Sequence, residues 1–82
     1  MILTIYVNNP MGKRCRINLE SAKVVAAEYP IELRVVKHGS DEYASEDNPP
    51  PCPSIKLDER IIKEYGVMTS EEIKAELLHS FY

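Results

Sequence analysis

A chain of 82 residues and 9.4 kDa has the length of one domain, with a thin core and no room for a catalytic unit beside a regulatory one. Apolar residues at 44% and charged residues at 28% exclude a fully disordered chain. Ten basic against thirteen acidic residues leave a formal charge of −3, which argues against a general nucleic-acid binder because phosphate binding needs a basic surplus.

The first element in chain order is Ile2-Leu3-Thr4-Ile5-Tyr6-Val7. It is β-branched, aromatic and apolar nearly throughout, which reads as a strand buried on both faces at the centre of a sheet. The stretch is too short for a signal-peptide core, no basic segment precedes it, and no apolar run nears the ~18 residues that span a membrane. The expectation is a cytoplasmic protein without membrane contact. Asn8 to Gly12 carries turn chemistry. Asn18 is placed to cap a helix through its side-chain oxygen. Behind it Leu19, Ala22, Val25, Ala26 and Tyr29 recur at spacings of three and four, one apolar stripe that Pro30 ends. Ile31 to Val35 alternates, so a second strand buries one face only. Strand, helix and strand within about 35 residues make a βαβ unit with parallel strands and a right-handed crossover.

Lys37 to Pro51 is acidic and polar at first, a loop with at most one helical turn around Glu42 to Glu46, and ends in the stiff Pro49-Pro50-Pro51. Ser54 to Leu57 and Arg60 to Lys63 are two short strands about Asp58-Glu59, a hairpin in which Glu59 suits a left-handed turn position poorly. Gly66 closes it. Thr69 with Glu72 three residues later is a capping box, and Ile73, Leu77, Leu78 and Phe81 mark the buried face of a last helix. Tyr6, Tyr29 and Phe81 are read as core or core-edge aromatics, and His38 and His79 as surface residues.

Two cysteines, Cys15 and Cys52, do not make a disulfide framework. With two histidines and no Cys-x-x-Cys, neither a zinc site within one chain nor another cofactor is expected. Lys13, Arg14 and Arg16 surround Cys15. Cations and a helix start both favour a thiolate, so Cys15 reads either as a reactive thiol with a pKa below ~8.5 or as an inert cysteine one turn into a helix. The same cations oppose a helix macrodipole by ~0.3–1 kcal/mol each. Three alternatives follow: the helix begins later, at Asn18; the charges are a solvated loop; or Met11-Gly12-Lys13-Arg14 faces a phosphate, sulfate or carboxylate. The glycine and hydroxyl spacing of a Walker P-loop is absent.

Three segments together resemble the thioredoxin fold in its minimal form, the small thioredoxin- and glutaredoxin-like proteins. They are the strand Ile2 to Val7 feeding a turn and helix, Cys52-Pro53-Ser54-Ile55, and the tail from Ile55 through Ile62 to Val67-Met68-Thr69-Ser70-Glu71-Glu72-Ile73. The resemblance implies an α/β domain covering residues 1–82. Its four-stranded mixed sheet has the order second, first, third, fourth strand, the first two parallel. It has two main helices, no well-formed middle helix, and a cis Pro53 ahead of a central antiparallel strand. The family's Cys-x-x-Cys departs here: its second cysteine falls on Cys15 and its first, the nucleophile, on Gly12. Cys52, just before the presumed cis-proline, is implied to lie against that motif. A Cys15–Cys52 disulfide would close a loop of about 38 residues, worth about 4 kcal/mol at most in the chain-entropy model.

The leading functional expectation is therefore a divergent thiol–disulfide redox protein. It would use Cys15 with Cys52 or Cys15 alone on a protein or small thiol/disulfide substrate, with Gly12, Lys13, Arg14 and Pro53 shaping the binding groove. The alternative is a non-catalytic module holding an anionic ligand or a protein partner in the same groove. The expected state is a monomer or weak dimer.

Overall fold

The computed structural model describes residues 1–80; Phe81, expected on the buried face of the last helix, lies outside them. The apolar run at the start becomes β1 (Ile2–Val7), in which every residue from Leu3 to Val7 is buried. There follow α1 (Lys13–Glu28), β2 (Glu32–Lys37), α2 (Asp41–Ala44), β3 (Ser54–Leu57), β4 (Arg60–Lys63) and α3 (Ser70–Ser80). The four strands form one sheet in the order β2-β1-β3-β4. β1 runs parallel to β2, from Ile2↔Glu32 to Val7↔Lys37, and antiparallel to β3, from Leu3↔Leu57 to Tyr6↔Ser54. The β3–β4 hairpin carries a bulge between Ile55 and Lys56. The order and directions agree with the sequence expectation. The middle helix is one capped turn: the Ser40 hydroxyl accepts from the Tyr43 N–H at 3.1 Å.

Alternation along β1 divides the interior in two. Leu3, Ile5 and Val7 face α1 and α3 and pack with Cys15, Ala22, Val25, Ile55, Leu57, Met68, Ile73 and Leu77. Tyr6 faces the other way and packs with Val36 and Cys52, covered by Tyr43 of α2. Tyr43 meets the Tyr6 ring edge-on, with centroids 6.4 Å apart, and donates its hydroxyl to the Pro50 carbonyl at 2.8 Å. The acidic loop is thereby pinned over the second face. Burial and the adjacent Glu46 carboxylate, which accepts from Tyr6 Oη at 2.6 Å, push the Tyr6 phenol well above its ordinary range.

Four sequence expectations change. α1 begins at Lys13 with Gly12 at its N-cap, so Asn18 caps nothing. Asn18 is fully buried, and its carboxamide donates to the Gly66 carbonyl at 2.8 Å and accepts from the Met68 N–H at 2.9 Å. The helical stripe starts a turn earlier than expected, through Cys15 and Asn18 to Ala22 and Val25. β2 extends to Lys37 and is not one-faced. Leu33 is half-buried on the α1 side while Val36 is fully buried on the α2 side, because the Lys37–Pro51 loop folds back over that end. At the hairpin Asp58 takes the left-handed φ of 52° and Glu59 does not, which removes the expected misfit. Leu78 is 41% exposed, since it stands 100° around α3 from the buried Leu77.

α1 ends as the sequence requires. Tyr29, before Pro30, is extended at φ −125° and ψ 149°, because the proline ring disfavours helical geometry in the preceding residue. At α3 the capping box is complete: Thr69 N–H donates to Glu72 Oε1 at 2.9 Å and Glu72 N–H donates to Thr69 Oγ1 at 3.2 Å. Those bonds from Thr69 hold the Glu72 carboxyl below its usual 4.5.

Two predictions follow from these contacts. Asn18→Ala leaves a buried N–H and a buried carbonyl without their partner, and should lower stability by roughly 2–4 kcal/mol in urea denaturation. A depressed carboxylate pKa contributes stability that is present above its unfolded-state value and lost as pH falls through the folded one. The stability difference between wild type and Glu72→Gln should therefore be full at neutral pH and shrink as the pH drops below 4.5, measured from urea midpoints.

Candidate functional site

The site is built where β1 ends. Asn8 to Gly12 turns the chain from the sheet into α1, with a cis bond at Asn9–Pro10. Gly12 is exposed, extended (φ −86°, ψ −178°), and offers no side chain to the helix end. A Cβ built on it meets nothing within 4 Å. No side chain among the described residues therefore caps the first-turn N–H groups of α1, and that turn holds no acidic residue. Lys13, Arg14 and Arg16 are exposed, and none lies within ion-pair distance of a carboxylate among the described residues. Three cations here oppose the helix dipole, an arrangement that an anion would reverse.

Arg14 is held by an unexpected partner. Its guanidinium carbon lies 4.6 Å from the centroid of the Tyr65 ring, a cation–π contact. Tyr65 is 58% exposed and has φ 51°, a left-handed conformation unusual for a residue with a large side chain. Its N–H donates to Ser54 Oγ at 3.0 Å, and the next N–H, of Gly66, donates to the Pro53 carbonyl at 3.0 Å. Ser54 Oγ in turn donates to the Pro51 carbonyl. The segments 51–54 and 65–68 are therefore knitted together, and Asn18 ties the second of them to α1.

Both sulfurs stand at this end of the sheet, but out of solvent. Cys15 is 1% exposed; its Sγ accepts from the Asn8 backbone N–H at 3.3 Å and from Asn8 Nδ2 at 3.7 Å. Cys52 is 7% exposed in the Tyr6–Val36 cluster. Burial, and secondarily negative charge at Cys15, pushes the Cys52 thiol above its usual range. Both cysteines are free thiols, packed in the two separate apolar clusters. Pro53 is buried, with a cis Cys52–Pro53 bond, directly ahead of β3.

Of the residues singled out from sequence, Gly12, Lys13, Arg14 and Cys15 thus share the start of α1, and Cys52 and Pro53 share its end of the sheet. Asn8, Asn18 and Tyr65 complete the frame and were not recognised from sequence. Asn18 carried a helix signal that pointed to a cap, and nothing local marks Tyr65 as the partner of Arg14. On the opposite face Arg34, Glu42, Glu46 and Lys56 border an open recess of about 330 Å³. Both of its cations are ion-paired there, Arg34 with Glu42 and Lys56 with Glu46 at 3.7 Å, while Asp47 and Glu59 also line it. No group of three or more His, Cys, Asp or Glu side chains is placed to hold a metal ion among the described residues, and no helix among them is long and apolar enough to cross a membrane.

Comparison with known proteins found no matching family model, no matching curated protein and no matching solved structure.

Thiol exchange needs an accessible thiolate. In the native protein both cysteines should therefore alkylate with iodoacetamide at pH 7 more slowly than glutathione does, and both should react fully in urea. Mass spectrometry of quenched samples counts the adducts at each position.

Proposed function

We propose that this chain is a thioredoxin-like binding module that holds an anionic group at the start of α1, and that it is not a dithiol reductase. One observation carries the reading: the position where the family's attacking sulfur falls is the exposed Gly12, bordered by three cations with no carboxylate within ion-pair distance among the described residues, while both sulfurs are buried. A carboxylate or phosphate oxygen above Gly12 would accept from the uncapped first-turn N–H groups. The Arg14 guanidinium, oriented by Tyr65, would supply a fork of donors, and Lys13 a mobile charge. The segment from Tyr65 to Met68, joined to Pro53 through the Gly66 N–H, lies beside Arg14, and the sheet order agrees with a thioredoxin-like arrangement.

A second reading, thiol chemistry at Cys15 alone or with Cys52, is favoured by the two Asn8 donors directed at Cys15 Sγ. It needs an opening motion that exposes the sulfur.

The two parts of the proposal have separate tests. Titrating labelled protein with inorganic phosphate and with a Glu-rich peptide should give saturable amide shifts at Lys13 to Arg16 and at Gly66. Lys13→Ala with Arg14→Ala should weaken binding at least about tenfold, as should raising salt from about 0.05 to about 0.5 M. Shifts that do not saturate, or that cluster elsewhere, overturn anion binding. The thioredoxin-like part is tested at Gly12, where the backbone geometry and free space admit a side chain. Gly12→Cys should gain insulin-reductase activity, driven by dithiothreitol, well above a nearly inert wild type. A folded but inert Gly12→Cys protein would remove the family assignment and leave the anion test standing.

A further inference from the structure

We infer that the solvent face of α1 is a self-complementary seam on which a second copy of this chain docks antiparallel. α1 buries Cys15, Asn18, Ala22 and Val25, and on its solvent side, among the described residues, only Glu28 is ion-paired to another element, Lys74 of α3. Solvated helix faces are normally polar, yet this one presents Ile17 at 41% and Val24 at 45% exposure. Seven residues apart, they lie within about 20° of one another around the helix and form a single stripe. Lys13 and Glu28 extend that stripe at its two ends, and Glu20 and the half-buried Ser21 lie at its centre.

The order of these residues specifies the partner. A two-fold axis between Glu20 and Ser21 sets Ile17 of one chain against Val24 of the other, and Val24 against Ile17. It also sets Lys13 against Glu28 at both ends, and Glu20 against the Ser21 hydroxyl at the centre. Every position on the stripe then meets a residue it can pair with, as an isologous contact requires. Lys13 has no carboxylate within ion-pair distance among the described residues, and Glu28, which holds Lys74 through Oε2 at 2.8 Å, can accept from a second cation. A parallel pairing would instead oppose Lys13 to Lys13, Glu20 to Glu20 and Glu28 to Glu28, so charge selects the antiparallel arrangement. One helix pair buries less than a standard interface, so the dimer is weak. Arg14, over Tyr65, stands three residues before Ile17 and borders the same stripe, and the two helix starts point to opposite ends of the dimer. The inference rests on the exposed Ile17–Val24 stripe and its charge order and not on anion binding, although Lys13 is shared between them and Arg14 borders both.

Sedimentation equilibrium from about 10 μM to about 1 mM chain tests it. The mean mass of wild type should rise from 9.4 kDa toward twice that value. Ile17→Glu alone and Val24→Lys alone should each stay monomeric to at least tenfold higher concentration than wild type. Their equimolar mixture should recover association, because the antiparallel seam then pairs the new glutamate with the new lysine and keeps one Ile17–Val24 contact. Both substitutions are at exposed positions, and circular dichroism reports that the fold is retained. A wild type that remains at 9.4 kDa throughout overturns the inference, as does Ile17→Glu associating like wild type. Mixed variants that stay apart overturn it as well.

Discussion

One carboxamide holds this small protein's layers in their relative positions. Asn18 sits fully buried in α1 and makes two hydrogen bonds to backbone some fifty residues away, at Gly66 and Met68. A buried amide is tolerated only when its donors and acceptors are met. Here the connection between β4 and α3 meets them, so the helix packs in one rotational setting and the connection is fixed in one path. That path carries the rest of the site with it. It brings the Tyr65 ring under Arg14 and the Gly66 N–H to the Pro53 carbonyl, and it delivers Met68 to the core. An apolar side chain at position 18 could fill the space but could not choose among the positions available to the loop.

The apolar interior is divided unequally about β1. Its α1–α3 side contains most of the large buried side chains, each worth about 1.5–3 kcal/mol when fully buried. The other side rests on Tyr6, Val36 and Cys52 beneath a single aromatic from a one-turn helix. A polar network finishes that side: Tyr6 to Glu46, Glu46 to Lys56, Tyr43 to Pro50. The acidic loop is therefore a covering layer made of side-chain contacts, with very little regular structure of its own.

The same division explains the chemistry at the end of the sheet. Cys15 packs in the larger cluster, with its Sγ accepting from Asn8, and Cys52 packs in the smaller. What reaches solvent is the bare helix start at Gly12 with its cations. Positive charge at that end of α1 is unfavourable for the helix in isolation. Tyr65, in a left-handed conformation, braces one of those cations.

Strand identity, order of elements and the α3 capping box could be read from the chain, because each rests on local patterns. A continuous β-branched run, spacings of three and four, proline stops and a Thr-x-x-Glu box act within a few residues of themselves. The hairpin about Asp58-Glu59 was legible for the same reason, as was a single helical turn in the acidic loop, which spans Asp41–Ala44 and not Glu42 to Glu46. The start of α1 was not. Asn18 is as good a cap as it is a core bridge, and only contact with Gly66 and Met68 decides between them. The second buried face of β2 was hidden because it depends on where a loop more than ten residues long folds back. Gly12, Lys13, Arg14, Cys15, Cys52 and Pro53 are legible in the sequence as site candidates, but Asn8 and Tyr65 are not, and burial bears on what each can do. A cationic, helix-start Cys15 suggests a reactive thiol until packing removes it from water. Sequence thus determined the elements and the charge. Tertiary structure decided which side chains water reaches, since burial depends on segments distant in the chain.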